Sequence, residues 1–138
     1  MRVDGKVICW GDNTYGAAPP VATTDTFLQV STSYDHSCGV RSDSRLLCWG
    51  LNGRGQAPSG PSSELFHSVS AAEAVTCGLT VDRAVRCWGY DAAGTVGAAP
   101  KLDRFRAVGL GGLSACGIRD DGHVICWGEN AFGQAPRP

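Results

Sequence analysis

Short apolar runs alternate with glycine-rich and polar turns along the whole chain, and no segment keeps a helical spacing of apolar residues over ten positions. In the clearest unit, one run begins at Phe27, and two more span residues 36–41 and 46–49. Short runs separated by such turns are typical of β-hairpins. Phe27 and Val30 are three positions apart, which breaks strict alternation, so we expect a bend or bulge there. The pattern therefore predicts an all-β protein.

The pattern repeats along the chain with a constant step and without an insertion. Phenylalanine, valine, glycine and two kinds of cysteine motif recur with this step. The Cys-Trp-Gly copies begin at Cys9, Cys48, Cys87 and Cys126, and the Cys-Gly copies begin at Cys38, Cys77 and Cys116. The step from each copy to the next is thirty-nine positions, and three or four short strands in a repeat of this length are typical of a β-propeller blade. The sequence thus predicts one propeller blade in each repeat.

Three complete repeats leave a remainder that is as long as residues 1–21. The chain is therefore predicted to contain about three and a half blades. Residues 1–21 align with residues 118–138, and the first repeat therefore lacks its front part. We predict a single repeat domain over residues 1–138. Its parts are a half blade at 1–21 and repeats at approximately 22–60, 61–99 and 100–138.

The cysteines of the three complete repeats lie ten residues apart, on either side of a predicted hairpin turn. Opposed residues of an antiparallel pair can lie close enough for a disulfide, which would stabilise each blade by roughly 3 kcal/mol. The predicted pairs are Cys38–Cys48, Cys77–Cys87 and Cys116–Cys126. Buried free thiols and a metal site are the alternatives. A metal is disfavoured because the chain has no Cys-x-x-Cys and its three histidines keep no common repeat phase.

Cys9 stays unpaired, because its partner would lie two residues before Met1. Either preceding sequence has been removed, or another chain supplies the partner, or the thiol is free. Disulfides indicate an extracellular or cell-surface location, whereas the chain begins without a signal peptide. A truncated start would explain both the missing partner of Cys9 and the missing signal peptide. If the disulfides do not form, the localisation is unknown.

Composition and charge exclude several classes of function. The 138 residues are 43% hydrophobic and 18% charged, with a net charge of −1, so we do not expect a disordered chain. The charges form no basic cluster, which argues against a nucleic-acid partner. No apolar run approaches the roughly 20 residues that cross a bilayer, so we expect no membrane insertion. The sequence offers no motif that would hold a cofactor or a metal.

No catalytic constellation is predicted. Residues 35–38 place an acid, an imidazole, a hydroxyl and a thiol side by side, but neighbours along a strand point to opposite faces. The sequence has no nucleophile elbow, phosphate loop or His-Glu-x-x-His motif. The tryptophans could form a stacking platform, yet their fixed period beside a cysteine favours packing between blades. We therefore predict that the protein is not an enzyme.

The candidate binding surface lies in the turns that differ between repeats. The turn after the first strand of each repeat spans residues 33–35, 72–74 and 111–113. We expect exposed side chains there to contact a protein partner, which the sequence does not identify; ordinary solvated loops are the alternative. The candidate residues are Tyr34, Asp35, His36 and Glu73.

The pattern Phe-x-x-Val, Cys-Gly, Cys-Trp-Gly-x-Asn-x-x-Gly-Gln-x-Pro resembles the regulator of chromosome condensation repeat. It is most similar to the cysteine-bearing version in bacterial secreted or surface proteins and in the ectodomains of Crinkly-type plant receptor kinases. Without the cysteines it is also similar to the propeller-type beta-lactamase inhibitory protein. The resemblance implies a ring, usually of seven blades with four-stranded sheets. It specifies the fold and not the function.

The resemblance leaves both assembly and function open. Two chains contain about as many residues as seven repeats, so a homodimer could complete a ring, although the joint would duplicate one half blade. A fragment of a longer ring and an open arc are the other arrangements. We predict a non-catalytic scaffold for protein–protein interaction. The alternatives are a guanine-nucleotide exchange regulator of a small GTPase, a secreted enzyme inhibitor, and a truncated or engineered unit that self-assembles.

Overall fold

The computed structural model describes residues 1–19, 21 and 23–136. Nine strands form three antiparallel sheets, each with its strands in sequence order. The strands are β1 (Phe27–Thr32), β2 (His36–Arg41), β3 (Leu46–Gly50), β4 (Phe66–Ala72), β5 (Val75–Thr80), β6 (Val85–Gly89), β7 (Phe105–Gly111), β8 (Ser114–Arg119) and β9 (Val124–Gly128). We call the sheets blades 1, 2 and 3. The all-β prediction is confirmed. Within the described ranges, no helix is long and apolar enough to cross a membrane.

Each blade opens with a bulge that turns a phenylalanine towards the second strand. The register of β1 against β2 shifts between Phe27 and Gln29, as the broken alternation predicts, and the same shift occurs in the other two blades. Phe27 is 3% exposed. A Cβ atom added to Gly39 would lie 2.5 Å from Cδ1 of the Phe27 ring. In each blade, the phenylalanine ring therefore packs directly on the glycine that follows the first cysteine.

The three predicted cysteine pairs are disulfides in the structure. In every blade the two cysteines are direct register partners on the second and third strands, with Cα–Cα distances of 4.0 to 4.1 Å. Each bridge thus ties the middle strand of its blade to the outer one. Cys9 forms no disulfide, and its partial burial raises the pKa of its thiol.

The tryptophans of the three complete blades pack against the phenylalanine of the same blade. The ring centroids lie 5.8 to 6.1 Å apart, with tilted or edge-on planes. Each indole nitrogen also donates to a backbone carbonyl 32 residues earlier: Trp49 to Ala17, Trp88 to Gln56 and Trp127 to Thr95. The tryptophans therefore fasten each blade to the preceding loop.

Trp10 corrects the expectation that all four tryptophans pack between blades. Its side chain is 85% exposed, and none of the described residues supplies the preceding loop that receives the indole in the three complete blades. The half blade keeps one backbone contact of a full blade. The amide of Thr23 donates to the Val7 carbonyl at 2.9 Å, as that of Ser62 does to Leu46 in the next repeat. Residues 1–19, 21 and 23–26 nevertheless contain no strand.

Side chains of blade 1 reach the backbone of blade 2 through several hydrogen bonds. The side-chain nitrogen of Gln29 donates to the backbone carbonyl of Val69, and its side-chain oxygen accepts from the backbone amide of Val69, both at 2.8 Å. Ser31 accepts from the amide of Ala71 at 2.9 Å. Between the first strands of blades 2 and 3, Ser70 makes a single bond of this kind, to the amide of Leu110 at 3.0 Å. In blade 3 the positions of Gln29, Ser31 and Ser33 are occupied by Ala107, Gly109 and Gly111.

The turn between the second and third strands requires left-handed backbone at one position in every repeat. Gly5 and Gly122 hold it with φ of 77° and 88°, whereas Ser44 holds it with φ of 65°. A left-handed conformation costs a residue with a Cβ about 1–2 kcal/mol. We therefore expect Ser44→Gly to raise the free energy of unfolding by about 0.5–1 kcal/mol, after the greater freedom of glycine in the unfolded chain is subtracted.

Chemical denaturation in urea would measure this gain. The matched control is Gly122→Ser, for which we expect a loss of similar size. A Ser44→Gly variant that is less stable than the original chain would contradict the argument.

Candidate functional site

The antiparallel blades present two different ends. In each blade, the first and the third strand both terminate on the same side. In blade 1 this follows from the register, because Thr32 pairs with Ser37 and His36 pairs with Gly50. This side, which we call the loop end, carries the turns after each first strand and the loops that follow each Cys-Trp-Gly. The opposite side, the hairpin end, carries the turns between second and third strands. All four candidate binding residues lie at the loop end.

The structure divides the predicted binding residues into two groups. Tyr34 is 84% exposed, and Glu73 is exposed at the tip of the next turn. His36 was expected at the surface and is fully buried, and the Asp35 side chain retains only 16% of its exposure. The two turns are nevertheless connected, since the hydroxyl of Ser33 donates to the carbonyl of Glu73 at 2.9 Å. Tyr34 and Glu73 thus share one continuous surface.

His36 is buried because its ring is inserted between blades 1 and 2. Nε2 lies 2.7 Å from the hydroxyl of Thr76 in blade 2, and Nδ1 lies 3.1 Å from the Asp35 carboxylate. The hydroxyl of Thr76 in turn donates to the carbonyl of Gln56 at 2.9 Å. A buried imidazole with a partner at each nitrogen is fully satisfied. His36 therefore positions the turn that carries Tyr34, and its side chain is not exposed at the surface.

A groove of about 460 Å³ lies beside Tyr34, between the half blade and blade 1. Trp10 and Tyr34 are the aromatic residues that line it, and the carboxylate-bearing Asp12 stands beside them. Val30 and Ala17 are among the apolar residues that also line it. The groove is concave and mainly apolar, with a few polar groups, as binding sites commonly are.

The loops after Cys-Trp-Gly are stabilised by a repeated side-chain contact. The side-chain oxygen of Asn52 accepts from the amide of Ala57 at 2.9 Å, and Asn130 makes the same bond to Ala135. In blade 2, Asp91 accepts from the amides of Val96 and Gly97. These contacts hold the loop tips in a fixed conformation, which favours recognition over flexibility.

Sequence reasoning missed the exposed aromatic residues of these loops. Tyr15 and Phe132 occupy the same position of the repeat and are 51% and 92% exposed, and Tyr90 is 36% exposed in blade 2. Arg54 stands at the Tyr15 position in blade 1, with its guanidinium carbon 4.0 Å from the centroid of the Tyr90 ring. The available signal was that these positions change residue type where their neighbours keep the period.

The site offers no evident metal chemistry. Within residues 1–19, 21 and 23–136, no three His, Cys, Asp or Glu side chains lie together as metal ligands would. Residues 35–38 also fail to form a catalytic group, since Cys38 is in a disulfide and Ser37 donates to the carbonyl of Ala17 at 3.0 Å. Ser37 and Cys38 are therefore held in structural contacts.

Comparison with solved structures places these blades among β-propellers. The ectodomain of the receptor kinase CR4 from Physcomitrella patens matches with a TM-score of 0.76 and 27% identity, over 90% of this chain and 36% of that one. The CRINKLY WD40 ectodomain of the Arabidopsis thaliana receptor kinase ACR4 matches with a TM-score of 0.70 and 30% identity, over 87% and 45%. A yeast structure, Kap60 bound to RCC1 (Prp20), matches with a TM-score of 0.77 and 17% identity, over 97% and 42%. This chain therefore spans less than half of each neighbour.

Sequence comparison identifies the repeat itself. No curated protein matches the chain. Residues 27–56 and 105–134, which contain blades 1 and 3 and the first part of their loops, match the family described as regulator of chromosome condensation (RCC1) repeat. Blades 1 and 3 thus carry RCC1 repeats, and the chain folds as part of a β-propeller.

Proposed function

We propose that the protein is a non-catalytic scaffold that binds a protein partner through its loop end. The observation that carries the proposal is the continuous surface of Tyr34 and Glu73 beside the groove of about 460 Å³. Exposed tyrosine is a frequent anchor of protein interfaces. The blades beneath it are braced by disulfides and by the buried His36, so the surface is presented in a fixed geometry.

The location we propose is extracellular or at the cell surface. Three disulfides support it, because such bonds persist in oxidising compartments. The likeness to two receptor ectodomains points the same way. The likeness to yeast RCC1, at 17% identity, supports the fold alone, so we do not propose nucleotide exchange on a GTPase.

The domain arrangement also remains a proposal. We propose one repeat domain over residues 1–138, with a half blade at 1–21 and three repeats after it. The hydrogen bonds between blades support this arrangement. The boundary residues Ala22 and Pro138 lie outside the described residues. A ring completed by a second chain stays a prediction.

The double variant Tyr34→Ala/Glu73→Ala tests the binding surface. We expect it to weaken partner binding about tenfold, because truncating an interface anchor commonly costs more than about 1 kcal/mol. Partners would be isolated by affinity purification on the oxidised chain, identified by mass spectrometry, and measured again by calorimetry as purified proteins.

The control for this test is Val81→Ala/Leu102→Ala, which removes exposed apolar side chains at the hairpin end. It should leave the affinity unchanged. If both double variants bind the purified partner as the original chain does, or if both lose binding equally, the loop end is not the interface.

A further inference from the structure

Exposed aromatic side chains are confined to one end of the molecule. Among the described residues, every exposed large hydrophobic side chain at the hairpin end is aliphatic. All exposed aromatic residues lie at the loop end: Trp10, Tyr15, Tyr34, Tyr90 and Phe132, with exposures of 85%, 51%, 84%, 36% and 92%. Aromatic residues at a surface of fixed geometry are typical of protein interfaces.

The carboxylates of the loop end lack cationic partners. Asp12, Glu73, Asp91 and Glu129 form no ion pair with any arginine or lysine in the part of the chain that the structure describes. The only arginine or lysine of this end in the same ranges is Arg54. Hydrogen bonds from Thr14 hold the pKa of Asp12 below its ordinary value, which keeps that carboxylate charged. The loop end therefore presents negative charge among its aromatic rings.

The hairpin end differs, because most of its carboxylates, though not Asp82, form ion pairs with arginine. Arg41 contacts two aspartates, Asp25 and Asp43, at 3.4 and 3.3 Å. Arg119 likewise contacts two aspartates, and Arg83 and Arg86 contact one carboxylate each. Unpaired carboxylates are thus concentrated at the loop end.

The chain already shows how this surface holds a guanidinium group. The side chain of Arg54 lies over the ring of Tyr90 at 4.0 Å from the centroid, a distance at which cation–π attraction operates. Arg54 occupies the repeat position that Tyr15 and Phe132 hold in other repeats. The neighbouring exposed rings have no such cation over them in the described ranges.

We propose that the loop end is the docking surface for an arginine- and lysine-rich segment of a protein partner. The exposed rings would stack with its cationic side chains, and the unpaired carboxylates would supply complementary charge. This inference rests on the proposed scaffold function and adds the chemistry of the partner. Arginine should be preferred over lysine, because a planar guanidinium stacks on aromatic faces.

Fluorescence anisotropy with labelled oligo-arginine, oligo-lysine and oligo-glutamate peptides tests the proposal on the intact, oxidised chain. We expect oligo-arginine to bind most tightly and oligo-glutamate not to bind. The affinity should fall as salt rises from about 0.01 to 1 M, because the screening length shortens from about 30 to about 3 Å. Tyr15→Ala and Phe132→Ala should each weaken binding about two- to five-fold.

Charge-reversal variants distinguish the effect of the loop-end carboxylates from the effect of the net charge of the protein. Glu73→Lys/Glu129→Lys should lower the affinity for oligo-arginine at least tenfold. The matched control Glu64→Lys/Asp82→Lys makes the same change of net charge at the hairpin end and should have a much smaller effect. Equal losses in the two double variants, absence of oligo-arginine binding at low salt, or preference for oligo-glutamate would each overturn the proposal.

Competition distinguishes a failure of this inference from a failure of the scaffold function. If a purified partner depends on Tyr34 and Glu73 but oligo-arginine does not displace it, the partner chemistry is wrong and the interface stands. If displacement occurs and depends on Glu73 and Glu129, both proposals are supported.

Discussion

Replacing Gly89 by alanine is expected to lower the free energy of unfolding by about 3 kcal/mol or more, a cost that combines left-handed strain of about 1–2 kcal/mol with steric overlap of about 1–3 kcal/mol. Gly89 ends β6 with φ of 112°, and an added Cβ would lie 2.2 Å from the carbonyl oxygen of Ala74. That oxygen accepts from the amide of Tyr90 at 2.9 Å, so it cannot move away without loss of the bond. Urea denaturation of the oxidised chain would measure the cost.

Gly94→Ala is the matched control for this substitution. Gly94 also has a positive φ, 74°, but no atom lies within 4 Å of its added Cβ. We expect a loss of only about 1–2 kcal/mol, from backbone strain alone. Equal losses in the two variants would show that the contact with Ala74 has no part in the effect.

Removing the Cys77–Cys87 bridge by the double change to alanine is expected to cost about 3 kcal/mol, because the bridge restricts the unfolded chain. The bridged cysteines have a sequence separation of 10. Cys77 is fully buried in the apolar cluster between blades 2 and 3, which also contains Val75 and Trp127. Denaturation curves of the original chain and the double variant, both under oxidising conditions, give the difference.

Cys9→Ala serves as the control, because Cys9 forms no bridge. We expect it to change the stability by less than about 0.5 kcal/mol. Under a strong reductant, the original chain should approach the stability that remains without all three bridges. A double variant as stable as the oxidised original would mean that the bridge does not restrain the unfolded ensemble.

The blade could be predicted from the sequence because its determinants recur in every repeat. The even spacing of the two cysteines about their turn placed Cys38 opposite Cys48, and the broken alternation at Phe27 indicated the bulge. Both features depend on local backbone geometry and pairing, which residue spacing encodes directly. The phenylalanine–glycine contact needed the structure, because the ring of Phe27 meets Gly39 across the strand pair.

The candidate site could be predicted only in part. The turns of Tyr34 and Glu73 stay predicted binding positions, chosen because they vary between repeats, whereas the burial of His36 was not predicted. That burial depends on Thr76 in the next blade, which is distant in sequence and was not recognised as its partner. Trp10 was misjudged because the other indoles are held by the preceding loop, which no described residue supplies for Trp10, and its side chain is 85% exposed.

The two junctions between blades differ in the number of side-chain hydrogen bonds that link their first strands. Directional bonds from Gln29 and Ser31 fix the angle between blades 1 and 2. Between blades 2 and 3 the first strands share the Ser70 bond alone, while the Trp127 indole bond to Thr95 and the Arg83–Asp120 ion pair also cross this junction. Three side-chain hydrogen bonds thus link the first strands at the first junction and one links them at the second, so the first strands are held together more firmly between blades 1 and 2 than between blades 2 and 3.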